Sequence, residues 1–543
     1  MDGEKDLLTE WRKSSPEERD AAFSGLCGQY GLSALIRNIA RFHPEPEKLS
    51  PEDLPFVRRK PGKIRTIGIY YIWLKPGGVQ RVMLYMAELY LRMGYRVVII
   101  TDQERSGTDY PLPENLRRIV LSADAGLSLS DRAARRADLW EKVIRENGID
   151  LIDYNAWTSE NAFWDFMAIR YSGAGVLMHT HSIAVYGMRE SLPLPLQVLS
   201  AARLADAVAV LNRMDVQYYR RANRNVYWIP NPRGRMNVPD AGERRVGNHV
   251  LWCGRISPEK DPVSAVRAFA LVHEAMPEAR LTLVGGSNSG EWYPGIVKRE
   301  IDRLNLSECV TMTGMVHDVE KYYGQADVLI CTSEYEGFGL TLMEAAEFSL
   351  PIVTFDMPYL EILRRVPAIQ RVPQKNKKAL AERILRLLRD GGERIRLGNS
   401  VRDQMAEIED MDLAELWRAV LKSVEEGTER PEEDLTDPES AEILIDTMLA
   451  QYAEGAGFTE RRIRDLEEKS RAAEQALEGK NREAEQLCRR LKALEAREEA
   501  GRQERRFLEE KVQLYEHSLS LRAGRILTKP VRAVRGLLRR GGK

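Results

Sequence analysis

No stretch of this chain approaches the ~20 consecutive apolar residues needed to cross a bilayer, and its start, MDGEKDLLTEWRK, is too charged for a secretory leader. These absences exclude a membrane-embedded protein and lead to the expectation of a cytoplasmic one. Paired cysteines are missing as well. Cys27, Cys253, Cys309, Cys331 and Cys488 stand singly, with no C-x-x-C and no histidine at metal spacing, which argues against a disulfide framework or a zinc site. Neither sign of charge dominates: 81 basic and 82 acidic side chains nearly cancel, so global charge gives no ground for a nucleic-acid partner. What the chain does have is length. Its 543 residues allow three to four domains at roughly 150 residues each, and 43% hydrophobic with 30% charged residues is a soluble balance.

The texture of the sequence divides it. Residues 1–60 are polar and helix-prone, with Leu32, Leu35, Ile36 and Ile39 on one helical face, and they end in the breaker-rich run HPEPEKLSPEDLP. This predicts a helical N-terminal extension packed on the next domain. Short apolar runs then alternate with amphipathic helices: IRTIGIYYI (64–72), RVVIIT (96–101), DLIDYNAW (150–157), GVLMHTH (175–181) and AVAVL (207–211). Such runs read as parallel strands buried on both faces. A second series comprises HVLWCGR (249–255), RLTLVGG (280–286), VTMTG (310–314), DVLICTS (327–333) and PIVTFD (351–356). The breaker-rich segment VYWIPNPRGRMNVPDAGERR separates the two. The fold class expected is α/β, with Rossmann-like domains at 61–232 and 233–424 facing a cleft, and ligands at the strand C-terminal ends.

Beyond residue 424 the alternation stops. An acidic linker with a short helix is expected at 425–458, followed by a coiled coil at 459–520. One seam carries Ile463, Leu477, Ala484, Leu491, Val512 and Leu519, and the other Leu466, Ala473, Leu487, Leu494, Leu508 and Tyr515. Ser470, Lys480, Glu498, Gly501 and Arg505 interrupt them, and a long solvated helix without a partner remains an alternative. The final segment, 521–543, carries eight basic residues and no acid, with Ile526, Leu527, Val531, Val534, Leu537 and Leu538 at roughly helical spacing. That pattern suits an amphipathic helix on an anionic membrane surface; a disordered basic tail or a nucleic-acid contact is the competing reading.

Three features concentrate chemistry at strand ends. Gly77 and Gly78 follow the first strand and open a helix, where backbone N–H groups can approach an anion, although a plain tight turn needs the same residues. Arg255 and Lys260 in GRISPEKDP follow the first strand of the second series and are placed to neutralise a diphosphate, or are simply surface charge. In SEYEGFGLTLMEAAEFSLPIV, Glu336 precedes a loop containing Gly337, Phe338, Gly339 and Leu340, and Glu344 is expected in the first turn of the helix after that loop. Acids there can also serve only as caps or dipole partners.

Taken in order, GGVQR (77–81), IPNP (229–232), GRISPEKDP (254–262) and the E-x7-E pair Glu336 and Glu344 resemble the retaining, nucleotide-sugar-dependent GT-B glycosyltransferases called family four, over roughly 65–425. The resemblance implies that Gly77 and Gly78 underlie the donor's sugar or phosphates. By the same resemblance Arg255 and Lys260 bind the diphosphate, Glu344 holds the ribose, Glu336 contacts the transferred sugar, and Gly337, Phe338, Gly339 and Leu340 belong to the donor-binding site. His181 in LMHTHS matches the family's histidine near the reacting carbon, and His179 is the more structural of the two. No DxD-like metal motif stands out in the cleft segments, so the implied chemistry is metal-independent transfer with retention, the cations stabilising the departing phosphate, and no cofactor is called for. Two departures are visible: Ser349 stands where relatives often have glycine, and FDMPYLEIL lacks their Gly-Gly.

The leading expectation is a bacterial transferase held at the inner face of the cell membrane by 521–543, extending a lipid-linked glycan for a surface polysaccharide, with a homo-oligomer through the coiled coil and no nucleic-acid partner. The alternatives are transfer to a soluble or protein acceptor, and a non-catalytic scaffold of the same fold.

Overall fold

The computed structural model describes residues 5–49 apart from 16–17, 62–232 apart from 108, 122–125 and 189–192, then 236, 238 and 248–452 apart from 288–291, 317 and 410. In the remainder it describes 478–480, 482–487, 489 and 502–516. The basic segment 521–543 and most of the expected coiled coil lie outside the described residues. The chain forms two units, Met1–Leu449 and Ala450–Lys543. Among the described residues, no helix is long and apolar enough to cross a membrane.

The first unit contains two all-parallel sheets. Strands β1 (Thr66–Tyr71), β2 (Arg96–Thr101), β3 (Arg117–Val120), β4 (Leu151–Tyr154), β5 (Gly175–His179), β6 (Ala207–Val210) and β7 (Val226–Trp228) lie in the order β3-β2-β1-β4-β5-β6-β7. Strands β8 (His249–Cys253), β9 (Arg280–Val284), β10 (Val310–Met312), β11 (Val328–Cys331), β12 (Ile352–Phe355) and β13 (Gln370–Val372) follow the order β10-β9-β8-β11-β12-β13. Each order reverses direction once, at β1/β4 and at β8/β11, and that is where a doubly wound sheet opens a crevice. The apolar runs account for the central strands: Ile67, Ile69, Leu151, Ile152, Val176 and Leu177 are all fully buried, as strands covered by helices on both faces must be.

Three edge strands were not expected. RRIV, VYW and QRV are short and partly exposed, so they lack the apolar run that marks a central strand. The sequence VYW, read as part of the interdomain connection, instead extends the first sheet as β7, pairing Val208 with Val226.

Two further segments complete the first sheet's layers. Leu35, Ile36 and Ile39 of the helix Leu32–Phe42 are buried in the core cluster that holds Val143 and Ile144. The helix Leu413–Glu426, which comes after the second sheet in sequence, returns to the first: Trp417, Val420, Leu421 and Val424 join Ile67, Ile69 and Met83 in one cluster. Glu425 fixes its end by accepting from the Ile64 backbone N–H at 2.8 Å. Among the described side chains of the second unit, Leu487 and Leu508 are buried and Phe507 and Leu514 are exposed.

Candidate active site

The strand ends bring the predicted residues of both sheets together. The loop after β11 carries Glu336, whose Oε1 lies 2.6 Å from Lys260 Nζ in the loop after β8. Ser333 donates its hydroxyl to the same oxygen at 2.6 Å, and the Glu336 backbone N–H donates to the Tyr359 hydroxyl at 3.1 Å. Glu336 is therefore fixed in direction by its own loop and by two other segments. Arg255, half exposed, points back to Glu259 at 2.6 Å, and Ser257 donates to the same carboxylate oxygen. Burial pushes the Glu259 carboxyl up, but Arg255 and Ser257 outweigh it and hold the group below the usual carboxylate range. The basic loop is seated by Gly285, whose added Cβ would lie 1.9 Å from the Gly254 carbonyl oxygen, an approach only glycine allows.

Glu344 occupies the fifth position of the helix Leu340–Glu347, one turn further in than the first-turn placement expected. Its two oxygens are both engaged, one by Arg81 of the first sheet's helix Gly78–Arg92 and the other by the Tyr323 hydroxyl at 2.7 Å. Burial works against the Arg81 charge, and Glu344 and the Tyr110 hydroxyl more than restore it, so its pKa is raised. Beside Glu344, burial above all pushes the Cys253 thiol up to about 12, so it stays protonated.

The glycine loop touches the other domain directly. A Cβ on Gly337 would sit 2.3 Å from the His181 carbonyl oxygen and 3.0 Å from Ser182 Cα. Asn212 Nδ2 donates to the Gly337 carbonyl at 2.9 Å. Phe338 is buried, Gly339 takes the left-handed conformation as the helix N-cap, and Leu340 faces Gly78, where an added Cβ would lie 3.9 Å from Leu340 Cδ1. Gly77 caps its helix in an extended conformation, with Gln80 Oε1 against it. The two domains thus meet over the loop that carries the E-x7-E pair.

His181, two residues past β5, has its Nε2 2.7 Å from Asn155 Oδ1. Asn155 Nδ2 donates to Asp153 O at 2.9 Å and Asp153 Oδ1 at 3.2 Å, so the amide orientation is set and His181 Nε2 must be the donor. Its Nδ1 is left as a bare acceptor without a partner among the described residues. Burial, helped by His179 at a ring distance of 4.5 Å, keeps the His181 pKa well below the ordinary histidine value. His179 is the more deeply buried of the two, with Nδ1 3.3 Å from Asp153 Oδ1.

Arg81, Tyr323, Ser333, Tyr359 and Asn155 were missed from sequence. Arg81 had a signal, since it closes the GGVQR motif at the start of a helix pointing into the cleft. Ser333, Tyr359 and Asn155 are polar residues in loops that follow strands, and Tyr323 lies in the helix Glu320–Gln325 ahead of β11, none with a distinguishing pattern.

Two facing Rossmann-like sheets with a site between their strand ends define a GT-B fold. Two glycosyltransferase family models match the chain, Glycosyltransferase Family 4 over residues 76–233 and Glycosyl transferases group 1 over residues 247–390. Among curated proteins, the chain is similar to the poly(glycerol-phosphate) alpha-glucosyltransferase of Bacillus subtilis, 36% identical over 124 residues that cover 23% of this chain and 17% of that protein. It is also similar to the amylovoran biosynthesis glycosyltransferase AmsD of Erwinia amylovora, 29% identical over 160 residues, 28% of this chain and 44% of AmsD. The chain therefore spans less than half the length of either relative. In three dimensions it resembles Staphylococcus aureus TarM in complex with fondaparinux, alpha-GlcNAc-glycerol and UDP, with a TM-score of 0.58, 12% identity, and coverage of 66% of this chain and 100% of TarM. Anabaena HepE in complex with UDP and glucose superposes with a TM-score of 0.55 at 17% identity, covering 67% of this chain and 100% of HepE.

Proposed function

We propose that the chain is a retaining, metal-independent glycosyltransferase that moves a sugar from a nucleotide-diphosphate sugar to a glycan acceptor. The observation that carries this reading is the Lys260–Glu336 contact at 2.6 Å, made between the loops after β8 and β11 and roofed by Gly337 against His181. The cation and the carboxylate satisfy each other, which avoids isolating either charge in a partly dry cleft. A bound donor exchanges these partners. Lys260 and Arg255 turn to the diphosphate, and Glu336 is released toward the sugar with Ser333 still holding one oxygen. Glu344 exchanges Arg81 for the ribose hydroxyls. As the sugar–oxygen bond breaks, charge grows on the departing phosphate and positive character on the ring, and the two cations stabilise the former in place from the outset. His181, neutral and bare at Nδ1, accepts a hydrogen bond from a sugar hydroxyl.

The acceptor is taken to be lipid-linked, in bacterial surface polysaccharide synthesis at the inner face of the cell membrane, with 521–543 as the contact to anionic lipid. The basic, acid-free composition of that segment and the polysaccharide role in the name of AmsD support this part of the reading.

The test is thermal stabilisation of the full chain by a panel of nucleotide sugars that includes UDP-glucose, with an Arg255→Ala/Lys260→Ala variant alongside. One donor raising the transition of the wild type and leaving the variant unmoved is the expected result. No shift with any nucleotide sugar at millimolar concentration overturns the enzyme reading.

A further inference from the structure

Asn212 stands at the N-cap of the helix Arg213–Tyr219, with its backbone in the extended conformation that position requires, φ −134° and ψ 146°, yet its side chain caps nothing. An asparagine there ordinarily turns its amide oxygen back to the N–H of the second or third helical residue, which otherwise lacks an intrahelical acceptor. Here the amide nitrogen reaches the other domain instead and donates to the Gly337 carbonyl, 125 residues away, at 2.9 Å. A carbonyl oxygen only accepts, so the amide cannot be turned over without losing this bond. Its own oxygen is consequently buried and has no partner among the described residues. Both choices cost stability, the one a cap left unmade and the other a buried acceptor left unpaired. A fully buried side chain that breaks two local rules at once is placed for something other than its own helix.

What it holds is the point where the two domains touch. Gly337 follows Glu336, and an added Cβ there would lie 2.3 Å from the His181 carbonyl oxygen. Three residues after His181, the Ala184 N–H donates to Asp215 Oδ1 at 2.9 Å. Asp215 belongs to the first turn of the helix that Asn212 begins. One helix start therefore holds the His181 segment by a carboxylate and the Glu336 loop by an amide. Asn212 Nδ2 is 3.5 Å from Asp215 Oδ2, the outer limit of a hydrogen bond, so Gly337 is its principal acceptor.

We infer that Asn212 is a positioning residue with two settings: it straps the Gly337 loop to the His181 segment when the domains close on the donor's sugar, and caps its own helix when they part. The exchange needs only a rotation of the side chain, because the backbone already has the N-cap conformation. On opening, the regained cap and the satisfied amide oxygen offset part of the bond that is lost, so the strap holds the loop without locking it. The inference rests on the proposed function for the identity of the ligand, and on the contact itself for the strap.

The experiment follows hydrogen exchange by mass spectrometry in the full chain as wild type, Asn212→Ser and Gly337→Ala. Serine caps a helix about as well as asparagine but is too short to reach Gly337. In Asn212→Ser, exchange is expected to quicken by about fivefold or more over 334–343 and 181–188, with 213–219 as protected as in the wild type. Gly337→Ala leaves Asn212 in place and blocks the approach from the other side, so the freed side chain is expected to slow exchange at the start of 213–219. With the nucleotide sugar that the donor panel identifies, kcat for donor hydrolysis is expected to fall about five- to tenfold in Asn212→Ser while the donor KM stays within about twofold, since position and not affinity is lost.

Unchanged exchange over 334–343 in Asn212→Ser overturns the inference, and so does a wild-type kcat. Loss of protection confined to 213–219 overturns it too, for Asn212 would then serve its own helix alone. If Asn212→Ser loses its thermal transition, Gly337→Ala decides, and unchanged exchange at 213–219 in that variant is the overturning result. A panel in which no nucleotide sugar binds overturns the proposed function and leaves the exchange measurements to decide the strap.

Discussion

Arg81 and Glu344, 263 residues apart in sequence, form an ion pair that joins the helix after β1 to the helix after β11. Each comes from a different sheet, so the pair fastens the two domains across the cleft. It also occupies the carboxylate that the proposed function gives to the ribose. On that reading donor binding competes with an internal cation, and removing that cation favours the ligand. Arg81→Ala is expected to bind the donor's nucleoside diphosphate about two- to fivefold more tightly, because a partly exposed pair is worth up to about 1 kcal/mol. Glu344→Gln, which keeps the shape and loses the charge, is expected to bind about tenfold or more weakly. Isothermal titration with UDP and the other common diphosphates measures both, and weaker binding by Arg81→Ala would show that the arginine holds the nucleotide itself.

The Asp153–Asn155–His181 chain fixes a protonation state. Asn155 can only accept from His181, so the ring carries its proton on Nε2, and burial together with His179 keeps a second proton off. In 15N-histidine spectra the wild-type His181 ring is expected to show a bare Nδ1 and no titration between about pH 5.5 and 8, below and above the ordinary histidine midpoint of about 6.5. Asn155→Ala removes the acceptor, and the same ring should stay neutral but show mixed tautomers. A wild-type midpoint near 6.5 would refute the assignment.

Much of the framework was legible because its signals are local. Apolar runs mark strands buried on both faces, and Glu336 and Lys260 each come just after such a run, so the strand-end rule placed both at one cleft, whereas His181 was singled out only by the family resemblance. The partners were not legible, since Arg81 with Glu344 and Gly337 with His181 are contacts made only by folding two domains together. The amphipathic pattern of Leu413–Glu426 likewise shows that one face is buried without showing that the face belongs to the first sheet. The edge strands RRIV, VYW and QRV are invisible for the opposite reason, being too short and too polar to carry a pattern.

One departure seen in the sequence has a physical counterpart. Ser349, where relatives often carry glycine, adopts φ 50° in the left-handed region. Its neighbourhood is tight, as an added Cβ on Gly398 would lie 2.0 Å from the Ser349 carbonyl oxygen, so the backbone cannot relax away. A side chain in that region costs about 1–2 kcal/mol, partly offset by the order that glycine loses on folding. Its hydroxyl returns one exposed contact with Arg402 at 3.2 Å. Ser349→Gly is therefore expected to stabilise the protein by about 0.5–1 kcal/mol in urea unfolding. Destabilisation would mean that the Arg402 contact outweighs the backbone term.

Asp215 gives the fold a pH dependence of unusual sign. Its carboxyl is buried near the hydroxyls of Tyr218, Tyr219 and Tyr359, and burial pushes its pKa up to about 7, with the Ala184 N–H at 2.9 Å and Asn212 only partly opposing this. The folded protein thus holds a proton here that the unfolded chain has already released above about pH 4. A raised carboxyl pKa means that the folded state binds more protons than the unfolded one between these values, so this group's contribution to stability falls as pH rises from about 4 to about 7 and stays lost above. Asp215→Asn keeps an acceptor for the Ala184 N–H and removes the charge. Urea unfolding at about pH 5.5 and pH 8.5 is expected to show the variant gaining stability over the wild type at the higher pH by an amount on the order of a few kcal/mol, and by about half as much at the lower. Equal differences at the two pH values would show that Asp215 is ionised in the fold and that a cation or water reaches it.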